Sequence, residues 1–171
     1  MKTILLTLLC AFSFTVKAET IATEKIIDVN QFIGKWYAIT SLPQFFTRKC
    51  LYQTAEYDII NPTKISVLNR CIKKRKTTRI YGEARVLNTK TNAELEVRFY
   101  NFFTRLFRVR GDYQIIEIDT NYDYVMVGSS DRKSLWIMSR SKEMPEEVLN
   151  EYIKRAKELH FPIDNLVHAK F

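Results

Sequence analysis

Three arginines alternate with aromatic and apolar side chains in residues 102–110, which read FFTRLFRVR. A second concentration of positive charge consists of Lys73, Lys74, Arg75 and Lys76. Residues of these types suit two chemistries: phosphate contacts with base stacking on a nucleic acid, or docking on an anionic lipid surface. The formal net charge of +8 favours anionic partners of either class. Which chemistry applies depends on the elements that position these residues.

Side chains suited to catalysis are sparse in this chain. The two histidines, His160 and His168, both lie in the C-terminal segment and have no spacing typical of a zinc site or of a Ser–His–Asp arrangement. The four glycines form no loop that could cradle a phosphate. Carboxylates such as Glu83, Glu94 and Glu96 are scattered along predicted strands. We interpret them as solvated residues on the outer face of the sheet. We therefore predict no catalytic residue, no metal site and no cofactor.

The N-terminus has the pattern of a secretory signal peptide. Lys2 precedes an apolar run over residues 4–16, and Val16 and Ala18 occupy the −3 and −1 positions of a cleavage site. The run is too short for a membrane span, which needs about 20 apolar residues. We predict that residues 1–18 are removed and that residues 19–171 form one exported domain, periplasmic or secreted.

The three cysteines require separate interpretations. Cys10 is predicted to be part of the discarded signal, because bulky leucines precede it; the alternative is a lipid-modified cysteine that ties the chain to the outer membrane. Cys50 and Cys71 remain in the mature chain, and an even count in an exported protein favours a disulfide. The Asn-Pro-Thr turn at residues 61–63 makes them partners in a hairpin, so a bond between them is expected. Two separate thiols are the alternative.

From residue 35 onward, short segments rich in β-branched and aromatic residues alternate with turn residues. The predicted strands are residues 35–41, 51–60, 65–72, 79–87, 93–100, 112–118, 122–128 and 134–140. Eight strands at near-regular spacing, with no long helix between them, predict an all-β antiparallel barrel or sandwich. Residues 145–161 follow with apolar residues at helical spacing, so we predict one helix that packs on the outside of the sheet.

Two segments carry a resemblance to a known family. Gly34 and Trp36 stand at the start of the first strand, and residues 122–140 read YDYVMVGSSDRKSLWIMSR and end on Arg140. This pattern resembles the lipocalin family, in particular the bacterial outer-membrane lipocalins and the apolipoprotein D branch. The resemblance implies an eight-stranded antiparallel up-and-down β-barrel with a C-terminal helix and a short final strand near residues 166–169. It also implies that Arg140 covers the Trp36 indole and closes the barrel.

A barrel of eight strands is wide enough to hold one small ligand. Alternation along the strands predicts which side chains face its interior. The predicted ligand-binding residues are Ala38, Thr40, Ala55, Tyr57, Val67, Asn69, Gly82, Ala84, Val97, Phe99, Trp136 and Met138. An apolar wall with few polar points favours a fatty acid or lysophospholipid. The alternatives are that these residues merely fill the barrel, or that an enzyme acts on a lipid or pigment in the same cavity.

The resemblance also places alternate loops at an open mouth opposite Trp36. The predicted rim residues are Arg48, Lys49, Lys73, Lys74, Arg75, Lys76, Phe102, Phe103, Arg105, Phe107 and Arg108. A basic rim with aromatic residues predicts docking on an anionic membrane, whereas export and the barrel argue against a nucleic-acid partner. The alternative is a charged rim whose phenylalanines fold inward as a lid. We further expect a monomer or a weak homodimer.

Overall fold

The computed structural model describes Ile21, residues 25–100 and residues 110–171. The predicted signal peptide, including Cys10, lies outside the described residues. So do Phe102, Phe103, Arg105, Phe107 and Arg108 of the predicted rim. In the part of the chain that is described, no helix has the length and apolar character needed to cross a membrane.

The secondary structure is dominated by antiparallel strands. The elements in chain order are α1 (Val29–Phe32), β1 (Gly34–Ser41), β2 (Tyr52–Asn61), β3 (Lys64–Ile72), β4 (Thr77–Val86), β5 (Glu94–Phe99), β6 (Gly111–Ile118), β7 (Tyr124–Gly128), β8 (Leu135–Ser139), α2 (Glu146–Glu158), a 3₁₀ turn (Ile163–Asn165) and β9 (Val167–His168). The eight predicted strands, the C-terminal helix and the short final strand are therefore confirmed. Helix α2 begins just after Pro145, whose fixed φ suits a helix start.

The strands form one closed sheet. Each strand from β2 to β7 pairs with the next, and β1 pairs with both β2 and β8, which closes an up-and-down barrel. Strand β1 leaves β2 after the pair formed by Ala38 and Gln53, and it bulges between Ala38 and Thr40. Its last residues, Thr40 and Ser41, pair instead with the C-terminal β9. The bulge changes which side chains of β1 face inward.

Two apolar clusters stabilise this arrangement, one on each side of the sheet. The first fills the lower barrel interior and contains Trp36, Leu95 and Ile115, all fully buried. The second lies between the outer face of the barrel and α2, whose Tyr152 and Ala156 are buried there. Because successive side chains of a strand point to opposite faces, β6, β7 and β8 contribute to both clusters. The predicted packing of the helix on the outside of the barrel is confirmed.

Gly128 shows how closely the end of the helical segment approaches the sheet. A Cβ atom at this position would lie 2.8 Å from the Ser134 carbonyl oxygen and 3.0 Å from the Phe161 ring. The distance to the backbone oxygen is shorter than real Cβ contacts, and the Phe161 ring would have to shift as well, so glycine is required for this packing. The close approach fixes the C-terminal segment against the end of β7, near the mouth of the barrel.

Candidate functional site

The closed end of the barrel is built around one tryptophan and one arginine. Trp36 is completely buried, and its indole Nε1 donates a hydrogen bond of 2.9 Å to the Phe32 carbonyl oxygen. The guanidinium carbon of Arg140 lies 3.7 Å from the centre of the Trp36 ring. This is a cation–π contact at short range. The structure therefore brings together the two residues that the resemblance pairs.

Arg140 also connects separate segments of the chain at this end through hydrogen bonds. Its guanidinium donates to the carbonyl oxygens of Gln31, Phe32, Ile33, Lys35 and Tyr122. Gly34 adopts a φ of +94°, and a Cβ there would lie 3.4 Å from Arg140 Nη1. Burial lowers the pKa of Arg140, against the opposing charges of Asp123 and Asp119, but the guanidinium stays cationic. The α1 segment and the loop before β7 are thereby fixed across the barrel floor.

Above this floor the barrel encloses an open cavity of about 450 Å³. Such a volume is typical of small-molecule sites, which span about 300–1,000 Å³. Nine of the twelve predicted ligand-binding residues lie in its wall. They are Ala38, Ala55, Tyr57, Val67, Asn69, Val97, Phe99, Trp136 and Met138. The structure places these side chains around one space, and their contact with a ligand stays a prediction.

Three of the predicted ligand-binding residues do not line the cavity, which corrects the prediction. The bulge after Ala38 takes Thr40 out of the wall, and its Oγ1 donates instead to the Val167 carbonyl oxygen at 3.2 Å. Gly82 does not widen the cavity, because the space beside it is occupied by the Arg98 carbonyl and the Phe99 ring, which would lie 2.5 and 2.9 Å from an added Cβ. Ala84 is part of the packed interior cluster rather than of the cavity wall.

Several polar wall residues were not predicted from the sequence. Gln53, Thr78 and Tyr113 all line the cavity. Tyr113 pairs with Leu95 on the neighbouring strand, and Leu95 and Ile115 both belong to the interior cluster. Because alternate residues of a strand share a face, Ile115 could have indicated that Tyr113 faces inward too. The strand was predicted correctly, but its inward face was not assigned.

Tyr57 and Tyr113 form a hydrogen-bonded pair within the wall. Their hydroxyl oxygens lie 2.8 Å apart, and either can be the donor. Burial raises the pKa of Tyr57 to about 12 and raises the pKa of Tyr113 well above its ordinary value. Both phenols are therefore neutral at physiological pH. Nearer the mouth, the buried Oδ1 atom of Asn69 has no hydrogen-bond partner among the described residues.

The mouth of the barrel presents aromatic and basic side chains to solvent. Phe45 is 87% exposed and Phe46 is 64% exposed, and Arg48 and Lys49 beside them are exposed as well. The loop is held by its own hydrogen bonds, in which Thr47 bonds Gln44 through both its backbone and its hydroxyl. The fixed loop points Phe45 outward, so for this residue the inward-folded lid is not observed.

The hairpin between β3 and β4 adds the second basic part of the rim. Lys73 donates its backbone N–H to the Lys76 carbonyl at 3.0 Å, which closes a tight turn. Lys74, Arg75 and Lys76 are exposed, and Lys73 is half-buried. Neither these four nor Arg48 and Lys49 form an ion pair with any residue in the described ranges. Their charge is thus available to an external anion.

A disulfide joins Cys50 and Cys71, as predicted, with their Cα atoms 5.3 Å apart. It holds the start of β2 to the end of β3 near the mouth, and Leu51 donates a backbone hydrogen bond of 2.7 Å to Ile72 beside it. Elsewhere, no three histidine, cysteine or acidic side chains of the described segments are arranged to hold a metal ion. The disulfide between Cys50 and Cys71 fixes β2 and β3, the strands from which two of the mouth loops extend.

Comparison with known proteins identifies relatives over almost the whole described chain. The family model of the lipocalin-like domain matches residues 27–170. The outer membrane lipoprotein Blc of Vibrio cholerae is 30% identical over 155 residues, which cover 89% of this chain and 87% of that protein. Temperature-induced lipocalin-1 of Arabidopsis thaliana is 34% identical, with 83% and 78% covered. Apolipoprotein D of Macaca fascicularis is 28% identical, with 78% and 71% covered.

Solved structures show the same fold at lower sequence identity. Insecticyanin from the tobacco hornworm Manduca sexta superposes with a TM-score of 0.65 at 19% identity, covering 86% of this chain and 82% of that one. Lobster apocrustacyanin A1 superposes with a TM-score of 0.61 at 14% identity, with 82% and 77% covered. At such identities the likeness concerns the barrel alone. Together with the family match, it confirms the resemblance derived from Gly34, Trp36 and Arg140.

Proposed function

The chain belongs to the lipocalin family, and on that basis we propose that it binds and carries or stores a small hydrophobic ligand, a fatty acid or a lysophospholipid. The observation that carries this proposal is the open cavity of about 450 Å³ inside the barrel. Its wall combines apolar side chains such as Val67, Val97 and Met138 with a few polar atoms. An acyl chain matches such a wall, because it removes apolar surface from water and requires few hydrogen bonds.

Lipid that copurifies with the protein tests this proposal. Native mass spectrometry is expected to show a bound fatty acid or lysophospholipid of unaltered mass. Ala55→Phe places a ring in the cavity and is expected to lower lipid occupancy severalfold. Thr77→Phe, on an exposed position of β4, is the matched control and is expected to retain the lipid. Failure of delipidated protein to take up either lipid class would contradict the proposal, and turnover of an added lipid would favour the enzyme alternative.

The mouth of the barrel supports a second part of the proposal, which is docking on anionic membranes. Phe45 and Phe46 are the apolar side chains that can enter the headgroup region, and the basic residues beside them attract anionic lipid. Each lysine or arginine near such a surface contributes about 1 kcal/mol. The cavity opens between these loops, with Phe46 in its wall, so docking brings the entrance to the source of the ligand.

Vesicle co-sedimentation tests docking with two matched charge-reversal variants. Lys74→Glu/Arg75→Glu changes two exposed mouth residues, and Arg85→Glu/Lys90→Glu changes two exposed residues towards the closed end. Only the mouth variant is expected to lose binding to vesicles that contain phosphatidylglycerol. Equal binding of the native protein to neutral and anionic vesicles would refute docking, as would equal losses in the two variants.

Export to the periplasm or the exterior completes the proposal. Bacterial relatives bear the name outer membrane lipoprotein, and the signal-like pattern of residues 1–18 supports export. Intact mass of the protein recovered from cell fractions distinguishes the two interpretations of Cys10. A chain that begins at Glu19 is expected. A lipid-bearing chain that begins at Cys10 would replace that expectation with attachment to the outer membrane. Size-exclusion chromatography of the same material tests the expected monomer or weak homodimer.

A further inference from the structure

The Tyr57–Tyr113 pair lies at the inner end of the cavity, directly above the barrel floor. Tyr57 pairs with Gly34 of the closing motif, and its ring centre lies 5.0 Å from that of Phe32. Phe32 in turn contacts Trp36, with ring centres 5.8 Å apart. The tyrosine hydroxyls are thus placed among buried aromatic rings, at the end of the cavity that is farthest from the basic mouth.

Hydrogen-bond counting shows that the pair is incomplete by itself. One hydroxyl donates to the other at 2.8 Å, so the second hydroxyl keeps a proton that has no acceptor in the described part of the chain. A buried polar group without a partner destabilises the folded state. The same wall contains the unpartnered Oδ1 atom of Asn69, on the adjacent strand β3. The Thr54 hydroxyl of this wall also has no partner among the described residues. The wall therefore offers the tyrosine proton as a donor and Asn69 Oδ1 as an acceptor, besides the Thr54 hydroxyl, to whatever occupies the cavity.

The buried surroundings of the two tyrosines also restrict the charge of the ligand group that can bind to them. Burial raises the pKa of both tyrosines, which means that this region disfavours negative charge. A ligand carboxylate or phosphate placed there would lose its hydration without a cation to replace it. The two arginines of the cavity wall, Arg70 and Arg79, lie near the mouth ends of β3 and β4, and the exposed basic residues lie at the mouth itself, where an anionic headgroup can remain partly hydrated. A neutral oxygen is the group that suits the tyrosines.

We propose that the Tyr57–Tyr113 pair is a subsite for a neutral oxygen on the inner part of the ligand, which makes a hydroxylated or oxo-substituted acyl chain the preferred ligand class. The inference rests on the proposed lipid-binding function and specifies its ligand. The anionic end of such a molecule lies at the basic mouth and its chain fills the apolar cavity. Its hydroxyl or carbonyl oxygen accepts the free tyrosine proton. A hydroxyl can in addition donate to an acceptor such as Asn69 Oδ1.

Displacement of a fluorescent fatty acid measures this preference. The competitors are hexadecanoic acid and a series of hydroxyhexadecanoic acids, with the hydroxyl at successive positions along the chain. At least one isomer is expected to compete about fivefold better than the parent acid, as one net hydrogen bond implies. In Tyr57→Phe/Tyr113→Phe that advantage, measured as the ratio of the two competitors' affinities within the same variant, is expected to disappear. Tyr81→Phe, on an exposed site of β4, is the matched control and keeps the preference.

Three results would overturn the subsite. In the first, no isomer competes better than hexadecanoic acid; in the second, the double variant keeps the preference; in the third, Tyr81→Phe loses it. A different result, in which neither acid displaces the probe, would refute lipid binding itself. If the double variant does not fold, NMR of native protein labelled at the tyrosine ring Cζ provides a second measurement. The preferred isomer is expected to shift two of the nine tyrosine signals more than hexadecanoic acid does, and equal shifts would refute the subsite.

Discussion

The two ends of the barrel satisfy their polar groups in opposite ways. At the closed end, Trp36 is fully buried beside the half-buried Arg140, whose guanidinium donates to five backbone carbonyl oxygens. At the mouth, Phe45 and Phe46 face solvent, and the basic residues next to them have no ion-pair partner in the described ranges. The closed end is complete within the chain, whereas the mouth has chemistry that only an external partner can complete.

This difference predicts a separation, in which the closed end determines the stability of the barrel and the mouth determines what it binds. Substitutions at the closed end remove buried contacts and are expected to change the free energy of unfolding. Substitutions of exposed mouth residues remove no such contact and are expected to change binding alone. The disulfide between Cys50 and Cys71 is the exception, since it stabilises strands near the mouth covalently. Four variants test the separation, in order of their expected effect on stability.

Trp36→Ala is expected to have the largest effect, a loss of about 3–5 kcal/mol in the free energy of unfolding. It leaves a void below the cavity and removes the ring on which Arg140 lies. Urea unfolding measures the loss. Trp136→Ala is the matched control, because Trp136 is only partly buried and lines the cavity. Its loss of stability is expected to be smaller and its loss of ligand affinity larger; the reverse order would contradict the separation.

Cys50→Ala/Cys71→Ala is expected to lower the free energy of unfolding by about 3 kcal/mol, because the bond closes a loop with a sequence separation of 21. Thermal or urea unfolding under oxidising conditions measures the difference. Reduction of the native protein with dithiothreitol is expected to cause the same loss, whereas the double variant does not respond to the reductant. A response of the variant would show that the reductant acts elsewhere.

Arg140→Lys is expected to cost about 2 kcal/mol. An ammonium group keeps the positive charge but cannot bond both the carbonyl groups of residues 31–35 and that of Tyr122 in the way that a planar guanidinium does. The free energy of unfolding in urea measures the cost, and Arg85→Lys on an exposed position is the matched control, with a change of less than about 0.5 kcal/mol expected. Equal values for the two variants would show that charge, rather than geometry, closes the barrel.

The sequence predicted the fold well and the cavity less completely, for different physical reasons. Strand alternation and turn residues are local patterns, and they predicted eight strands in an antiparallel barrel or sandwich. The closed barrel and its floor were implied by the family resemblance that Gly34, Trp36 and Arg140 carry. Thr40 was misplaced because one bulged residue reverses the inward face of a strand. The space beside Gly82 is filled by Phe99 of the neighbouring strand. The bond between Tyr57 and Tyr113 depends on side chains 56 residues apart, and no periodicity within one strand reports such a pair.

Phe45→Ser/Phe46→Ser is expected to have the smallest effect on stability, within about 0.5 kcal/mol, because both side chains are already in water. The same variant is expected to weaken binding to anionic vesicles roughly tenfold or more, since burial of a phenylalanine side chain contributes about 1.5–3 kcal/mol when it is complete and less at an interface. Ile60→Ser/Leu87→Ser removes two exposed apolar residues at the opposite end, near the end of β2 and just after β4, and is the matched control. If both variants bind vesicles equally, apolar insertion at the mouth is excluded and charge alone attracts the protein. A loss only in the mouth variant, at unchanged stability, would assign recognition to the end of the barrel that contributes least to folding.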